Sequence, residues 1–149
     1  MIEQEYRILH LEDLPSDAAL AGREIGKVLK NYSIRVVESE ADFIAELTGF
    51  KPHIVISDYQ LPSFDGLSAL KIVLEKSPLT PVIILTGSMN EDTAVDCMEA
   101  GATDYVIKGH IKRLGPEVLT ALEQGENKVK KKNAEQALLQ SEENFRRSI

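Results

Sequence analysis

The chain has 149 residues, 43% apolar and 28% charged, the balance of a folded domain with a substantial core plus some extra rather than of a disordered chain. Its net charge of −7 is uneven: residues 126–149 hold six Lys/Arg against four Glu, which leaves −9 for residues 1–125 and argues against nucleic acid as a direct partner of that part. No apolar run approaches membrane-spanning length, residues 1–6 are too polar for a signal peptide, and the single cysteine, Cys97, excludes an internal disulfide and fits a reducing cytoplasm.

The first apolar run, residues 8–11, ends on Glu12 and Asp13. Ser16 stands where the N-cap of a helix is expected, and Ala18, Ala21, Ile25, Val28 and Leu29 then step by three or four along one face. A second run, 34–37, is interrupted by Arg35, and this alternation predicts an edge strand. Ser39 caps a shorter expected helix marked by Phe43, Ile44 and Leu47. The third run, 54–57, ends on Asp58 and is followed by the stripe Leu67, Leu70, Leu74. The fourth, 82–85, closes on Thr86 and Gly87; Asn90 is the expected cap of a helix with Ala94, Val95 and Met98 on its apolar face, Cys97 as a small packing residue and Gly101 as its stop. The fifth run, 105–107, closes on Lys108, after which Val118, Leu119 and Leu122 pack a last helix on the sheet. Repeated strand–helix units of this kind imply right-handed crossovers and a doubly wound parallel α/β sheet.

Past Gly125, an expected hinge or frayed point, the chain turns polar, with Lys128, Lys130, Lys131 and Lys132 in a cluster that reads as a solvated helix face. A thin stripe then resumes as Ala134, Ala137, Leu138, Ser141 and Phe145. A helix with so narrow an apolar face is not stable alone in water, so it requires a second copy, the globular part or a further domain.

Strand ends on one edge of a parallel sheet converge. The expected crevice therefore gathers Glu12, Asp13, Asp58, Thr86 and Lys108. Clustered carboxylates repel, by about 4 kcal/mol per pair at 4 Å and an effective dielectric near 20, so protons or a divalent cation must relieve them. Oxygen-only ligands in an open, partly hydrated site favour Mg²⁺ over zinc or calcium. Asp58 at the centre can attack a phosphoryl group as a nucleophile, while the metal and Lys108 neutralise charge on the transferring oxygens and Thr86 donates a hydrogen bond. Gly87 has no side chain to block the donor's approach.

The ordered motifs Leu11-Glu12-Asp13, Ser57-Asp58-Tyr59-Gln60-Leu61-Pro62 running to Asp65-Gly66, Leu85-Thr86-Gly87, and Gly101-Ala102-Thr103-Asp104-Tyr105 followed by Lys108 carry a family likeness. Over roughly residues 6–124 the chain resembles the receiver (response-regulator) domain of two-component signalling. The resemblance implies a five-stranded, flavodoxin-like sheet in order 2-1-3-4-5. It implies Asp58 as acceptor of phosphoryl from a kinase phosphohistidine or a phosphotransfer protein, and Mg²⁺ held by Glu12, Asp13, Asp58 and the carbonyl of Tyr59. It also implies Thr86 and Tyr105 as a switch pair, and Gln60 as a position that influences phosphoryl lifetime. Such a domain phosphorylates itself and loses the group slowly, and is not by itself a turnover enzyme. The pattern departs after Lys108, where Gly109 replaces the usual proline, and a looser loop over residues 109–113 is expected.

Residues 136–146 resemble, less specifically, the helix leading into a PAS sensor domain of multidomain histidine kinases. The expected organisation is a receiver over 1–125 and a linker helix over 126–149 toward a PAS-like or kinase domain, with a homodimer through that helix, a cytoplasmic setting, and no contact with nucleic acid or membrane. The rival readings are a scaffold that keeps the fold without phosphorylation and an aspartate phosphatase. The phosphatase needs an acid two residues after its nucleophile, where this chain has Gln60. His10, His53 and His110 share no metal-ligand spacing and read as structural or solvated.

Overall fold

In a computed structural model of the protein, residues 4–62, 64–87 and 91–148 are described. Each apolar run becomes a strand: β1 (Tyr6–Leu11), β2 (Tyr32–Val37), β3 (Ile54–Asp58), β4 (Val82–Thr86) and β5 (Asp104–Ile107). They form one parallel sheet in the order β2-β1-β3-β4-β5, as expected, with the Arg35-bearing strand at the edge. Helices α1 (Pro15–Gly26), α2 (Glu40–Gly49), α3 (Gly66–Lys76), α4 (Glu91–Glu99) and α5 (Leu114–Ser148) cover its faces.

The twofold period of the strands sorts side chains to two cores. Ile8, Ile54, Ile56, Ile83, Leu85 and Val106 pack with Ala21 and Ile25 of α1 and with Leu114, Val118, Ala121 and Leu122 of α5. The intervening residues Leu9, Leu11, Val55, Val82 and Ile84 pack with Phe43, Leu70, Val73 and Cys97 on the other face. Burying each such Ile, Leu or Val contributes about 1.5–3 kcal/mol, which is why the middles of β1, β3 and β4 are mostly apolar, with His10 the polar exception inside β1.

Several local expectations change. Helix α1 begins at Pro15, whose fixed φ suits a first helical position, so Ser16 lies inside the helix and Leu14 occupies the cap without a side-chain hydrogen bond. Ser39 does cap α2, its Oγ accepting from the Asp42 N–H at 3.1 Å. Asp65 caps α3 in the same way, from Ser68 N–H at 2.7 Å. Asn90 lies outside the described residues. On α4 the small residue Cys97 is fully buried while Val95 and Met98 are 52% and 46% exposed: short side chains at the contact let the helix lie close to β5. Leu119 is 43% exposed, turned from the sheet by the helical phase that buries Val118, and Leu74, 38% exposed, lies at the margin of the face on which Leu70 and Val73 are buried. Residues 109–113, expected as a loose loop, wind with Lys108 into 3-10 turns that kink at His110 (φ −118°, ψ 43°) and lead into α5.

Gly125 neither hinges nor ends the helix. Helix α5 passes through it unbroken, and a Cβ there would sit 3.2 Å from Pro81 Cδ, so its bareness lets α5 lie against the start of β4. A hydrogen bond from the Tyr6 hydroxyl to Glu126 Oε1 at 2.7 Å holds the helix at the same level.

Candidate phosphoacceptor site

Ladder register, not sequence proximity, assembles the site. Leu11 pairs with Ser57, so Glu12 continues β1 beside Asp58; Asp58 pairs with Leu85, one residue before Thr86; Thr86 pairs with Ile107, one residue before Lys108. Glu12, Asp13, Asp58, Thr86 and Lys108 therefore meet on one rim, as the sequence predicts. Glu12, Asp58 and Thr86 are buried to 2%, 5% and 2% exposure, while Asp13 and Lys108 are half-buried at the mouth.

Lys108 is the electrostatic centre. Its Nζ donates to Asp58 Oδ2 at 2.8 Å and to Asp17 Oδ2 at 2.7 Å, and it lies 2.9 Å from Glu12 Oε1. Burial works to discharge this ammonium, but the hydrogen bonds to Asp17, Asp58 and Glu12 outweigh it and hold its pKa well above the ordinary lysine value. Asp58 Oδ1 accepts from the Gln60 N–H at 3.1 Å, so both acceptor oxygens are aimed. Glu12 Oε2 takes the Asp13 N–H at 3.1 Å. Burial pushes the Glu12 carboxyl up to about 7, with the Lys108 charge opposing the rise.

The donor set fits a hard divalent cation. Oxygens of Glu12, Asp13 and Asp58 gather within 4.8 Å of one another, and all are carboxylate. Glu12 Oε1 is fully buried, with the Lys108 ammonium 2.9 Å away. Three carboxylates held this close, two of them buried, are an expensive arrangement for a fold to keep with one ammonium alone, and a divalent cation would relieve it. The Tyr59 carbonyl accepts the Gly66 N–H at 3.0 Å and has one lone pair left to offer. Glycine is needed at 66, since a Cβ there would fall 2.7 Å from the Asp58 carbonyl oxygen and 2.9 Å from Tyr59 Cα.

Gly87 is exposed, and a Cβ built on it meets nothing within 4 Å, so the approach beside Thr86 is open among the described residues. Gln60 is exposed at the rim. Tyr105 is half-buried against the core formed by α2, α3 and α4, two residues before the strand end that carries Lys108. The reasoning from strand ends missed Asp17, which reaches the site from the first turn of α1. An acid in that turn is the only signal, and it reads equally as a helix-dipole partner.

His10 is a further buried polar residue beneath this rim, 1% exposed, its Nε2 without a hydrogen bond. Burial, then the Lys108 charge, lowers its pKa from 6.5 to about 4. The unfolded chain therefore takes up this proton first: stability from a neutral His10 is complete above pH 6.5 and is lost as pH falls toward 4. Between pH 7.5 and 5.5 the wild type is expected to lose about 1 kcal/mol more than His10→Val, read from urea midpoints. Parallel pH slopes would exclude His10 as the source. His53 is structural, accepting the Arg7 N–H at 2.9 Å and meeting Tyr6 edge-on at 5.5 Å.

The family model described as "Response regulator receiver domain" matches residues 8–120. The DNA-binding transcriptional regulator NtrC of Proteus hauseri is 40% identical over 74 residues, covering 50% of this chain and 16% of that protein. Regulatory protein LuxO of Vibrio cholerae is 34% identical over 98 residues, covering 66% of this chain and 21% of the relative, so the chain corresponds to about a fifth or less of the length of these relatives. Among solved structures, the signal receiver domain of a LuxO repressor protein from Vibrio parahaemolyticus superposes with a TM-score of 0.75 at 29% identity, covering 84% of this chain and 95% of the other. With the fold order, the rim of acids and the lysine in place, the chain belongs to the response regulator receiver domain family.

Proposed function

We propose that this receiver domain accepts a phosphoryl group on the Asp58 carboxylate, from the phosphohistidine of a kinase or phosphotransfer protein, in a Mg²⁺-dependent relay. The observation that carries the reading is the Asp58 carboxylate held by Lys108 at 2.8 Å and grouped with Glu12 and Asp13 oxygens within 4.8 Å. In the transfer an Asp58 oxygen forms the new bond to phosphorus as the donor's bond to phosphorus breaks, and the donor leaves with the bonding electron pair. Lys108 neutralises charge on the transferring oxygens, and the Thr86 hydroxyl donates to another. Glu12, Asp13 and Asp58, with the spare lone pair of the Tyr59 carbonyl, are the groups that would hold the metal, which supplies further charge neutralisation. Gly87 leaves room for the donor, Gln60 borders the acceptor, and Thr86 and Tyr105 form the switch pair. Retention of every chemical residue argues against the scaffold reading.

Acetyl phosphate with Mg²⁺ is expected to add one phosphoryl group per chain by intact mass, removable by hydroxylamine as an acyl phosphate and absent when EDTA is present. A stable adduct in EDTA, or one that resists hydroxylamine, would overturn the reading.

Residues 126–148 serve, in this proposal, as a linker helix toward a PAS-like or kinase domain of a cytoplasmic signalling protein. Leu138, Leu139 and Phe145 are 61%, 65% and 67% exposed there, more apolar surface than a solitary helix keeps in water. No helix among the described residues is long and apolar enough to cross a membrane. Pairing of this helix with a second copy is expected to make the full chain sediment as a concentration-dependent dimer and a version ending at Gln124 as a monomer. Identical monomers would remove the pairing.

A further inference from the structure

The contact that neither the motifs nor the phosphoacceptor reading uses is the shortest one to Lys108. Asp17 Oδ2 lies 2.7 Å from the ammonium, nearer than Asp58 at 2.8 Å or Glu12 at 2.9 Å. Asp17 sits in the first turn of α1, after Pro15, so its backbone is fixed by a helix rather than a loop. Its own side chain is 26% exposed and that of Lys108 21%, so the pair is shielded enough for its charge to matter.

Asp17 stands apart from the three carboxylates whose oxygens converge as a cation-binding group among the described residues. Glu12 and Asp58 each have two demands on them, the ammonium and either a cation or a phosphoryl group. Asp17 has one. A lysine head on four rotatable carbons loses up to about 2 kcal/mol of rotamer freedom when it is fixed, and a partner that holds it beforehand removes that loss from the reaction step.

We propose that Asp17 is a positioning residue of the phosphoryl-transfer site: it tethers the Lys108 ammonium to α1 beside Asp58, so that the lysine is in place before the donor arrives. The inference rests on the phosphoacceptor reading and adds to it a fourth acid whose role is to aim the ion-paired Lys108 ammonium rather than to bind metal. It also makes α1 the helix through which the position of Lys108 is set. Tightening or loosening α1 would then tune reactivity at Asp58 without touching a metal ligand.

The test compares the wild type, Asp17→Asn and Asp17→Glu in the full chain with acetyl phosphate and Mg²⁺, following the adduct by mass over time. In parallel, the Lys108 ammonium is observed in protein labelled with ¹⁵N-lysine and assigned by its absence in Lys108→Met. Asp17→Asn is expected to lower the limiting phosphorylation rate about tenfold, with the Mg²⁺ concentration for half-maximal rate changed less than twofold, and to erase the slowly exchanging ammonium signal. Asp17→Glu is expected to recover part of both. A purely structural role for Asp17 would shift the urea midpoint and leave the ammonium signal of the folded fraction intact. An unchanged rate in Asp17→Asn, or a slowed rate with the Lys108 signal preserved, would overturn the proposal. Should Asn alter stability, Asp17→Ser carries the same comparison at equal folded fraction. No adduct on the wild type would instead sink the phosphoacceptor reading itself, which separates the two failures.

Discussion

Replacing Asp58 with Asn is expected to abolish the phosphoryl adduct, while leaving the chain folded. The exchange keeps the size of the side chain and one carbonyl oxygen, so the hydrogen bond from the Gln60 N–H at 3.1 Å can survive, while the amide NH2 that replaces the other oxygen no longer accepts from Lys108. What disappears is the anionic oxygen that attacks phosphorus: a neutral amide is a far weaker nucleophile and leaves no acyl phosphate. The adduct after acetyl phosphate treatment should fall by a factor on the order of 100 or more, to the background of non-specific labelling. Intact mass of the two proteins side by side reads it directly. Equal labelling would take Asp58 out of the role and turn attention to Glu12 and Asp13, the other carboxylates on the rim.

Lys108→Met should produce the second large effect, in stability as well as reactivity. The ammonium is surrounded by Glu12, Asp17 and Asp58 oxygens at 2.7–2.9 Å, and methionine fills similar space without charge. Removing one partner from a buried ionic cluster leaves the others uncompensated, a loss of roughly 3–5 kcal/mol. The side chains of Glu12 and Asp58 are 0% and 7% exposed, so solvent does little to screen them. The variant should therefore unfold at lower urea than the wild type near neutral pH. Added Mg²⁺ should restore part of the difference, because a cation relieves the same repulsion by mass action on the folded state. The phosphorylation rate should fall by about 100-fold, the usual consequence of deleting a charge that stabilises the transferring oxygens. A variant as stable and as reactive as the wild type would mean that Lys108 is a surface charge and that its short contacts carry nothing.

These expectations differ in how far they could be read from the residues alone. The strand set was legible because β1, β3 and β4 are covered on both faces, and double burial favours nearly continuous apolar runs, broken in β1 by the buried His10. The edge position of β2 was legible for the converse reason, since Arg35 interrupts its apolar run and is exposed. Helix ends were less so. Ser16 and Pro15 both signal a helix start, and only the turn after Asp13 decides that proline takes the first position. The face of α4 was misjudged because hydrophobicity favours Val95 and Met98, whereas close packing against the sheet favours the smaller Cys97.

The amino-acid sequence by itself determined the alternating architecture, the residues at the strand ends and the kind of chemistry they can support, because those follow from periodicity and from which side chains carry oxygen or charge. Tertiary structure alone decided that Asp17 joins Lys108, that Glu12 Oε1 is buried beside the same ammonium, and that α5 runs unbroken past Gly125 over Pro81. Each of these depends on distances between segments far apart in the chain, which ladder register and helix packing set and no local pattern encodes.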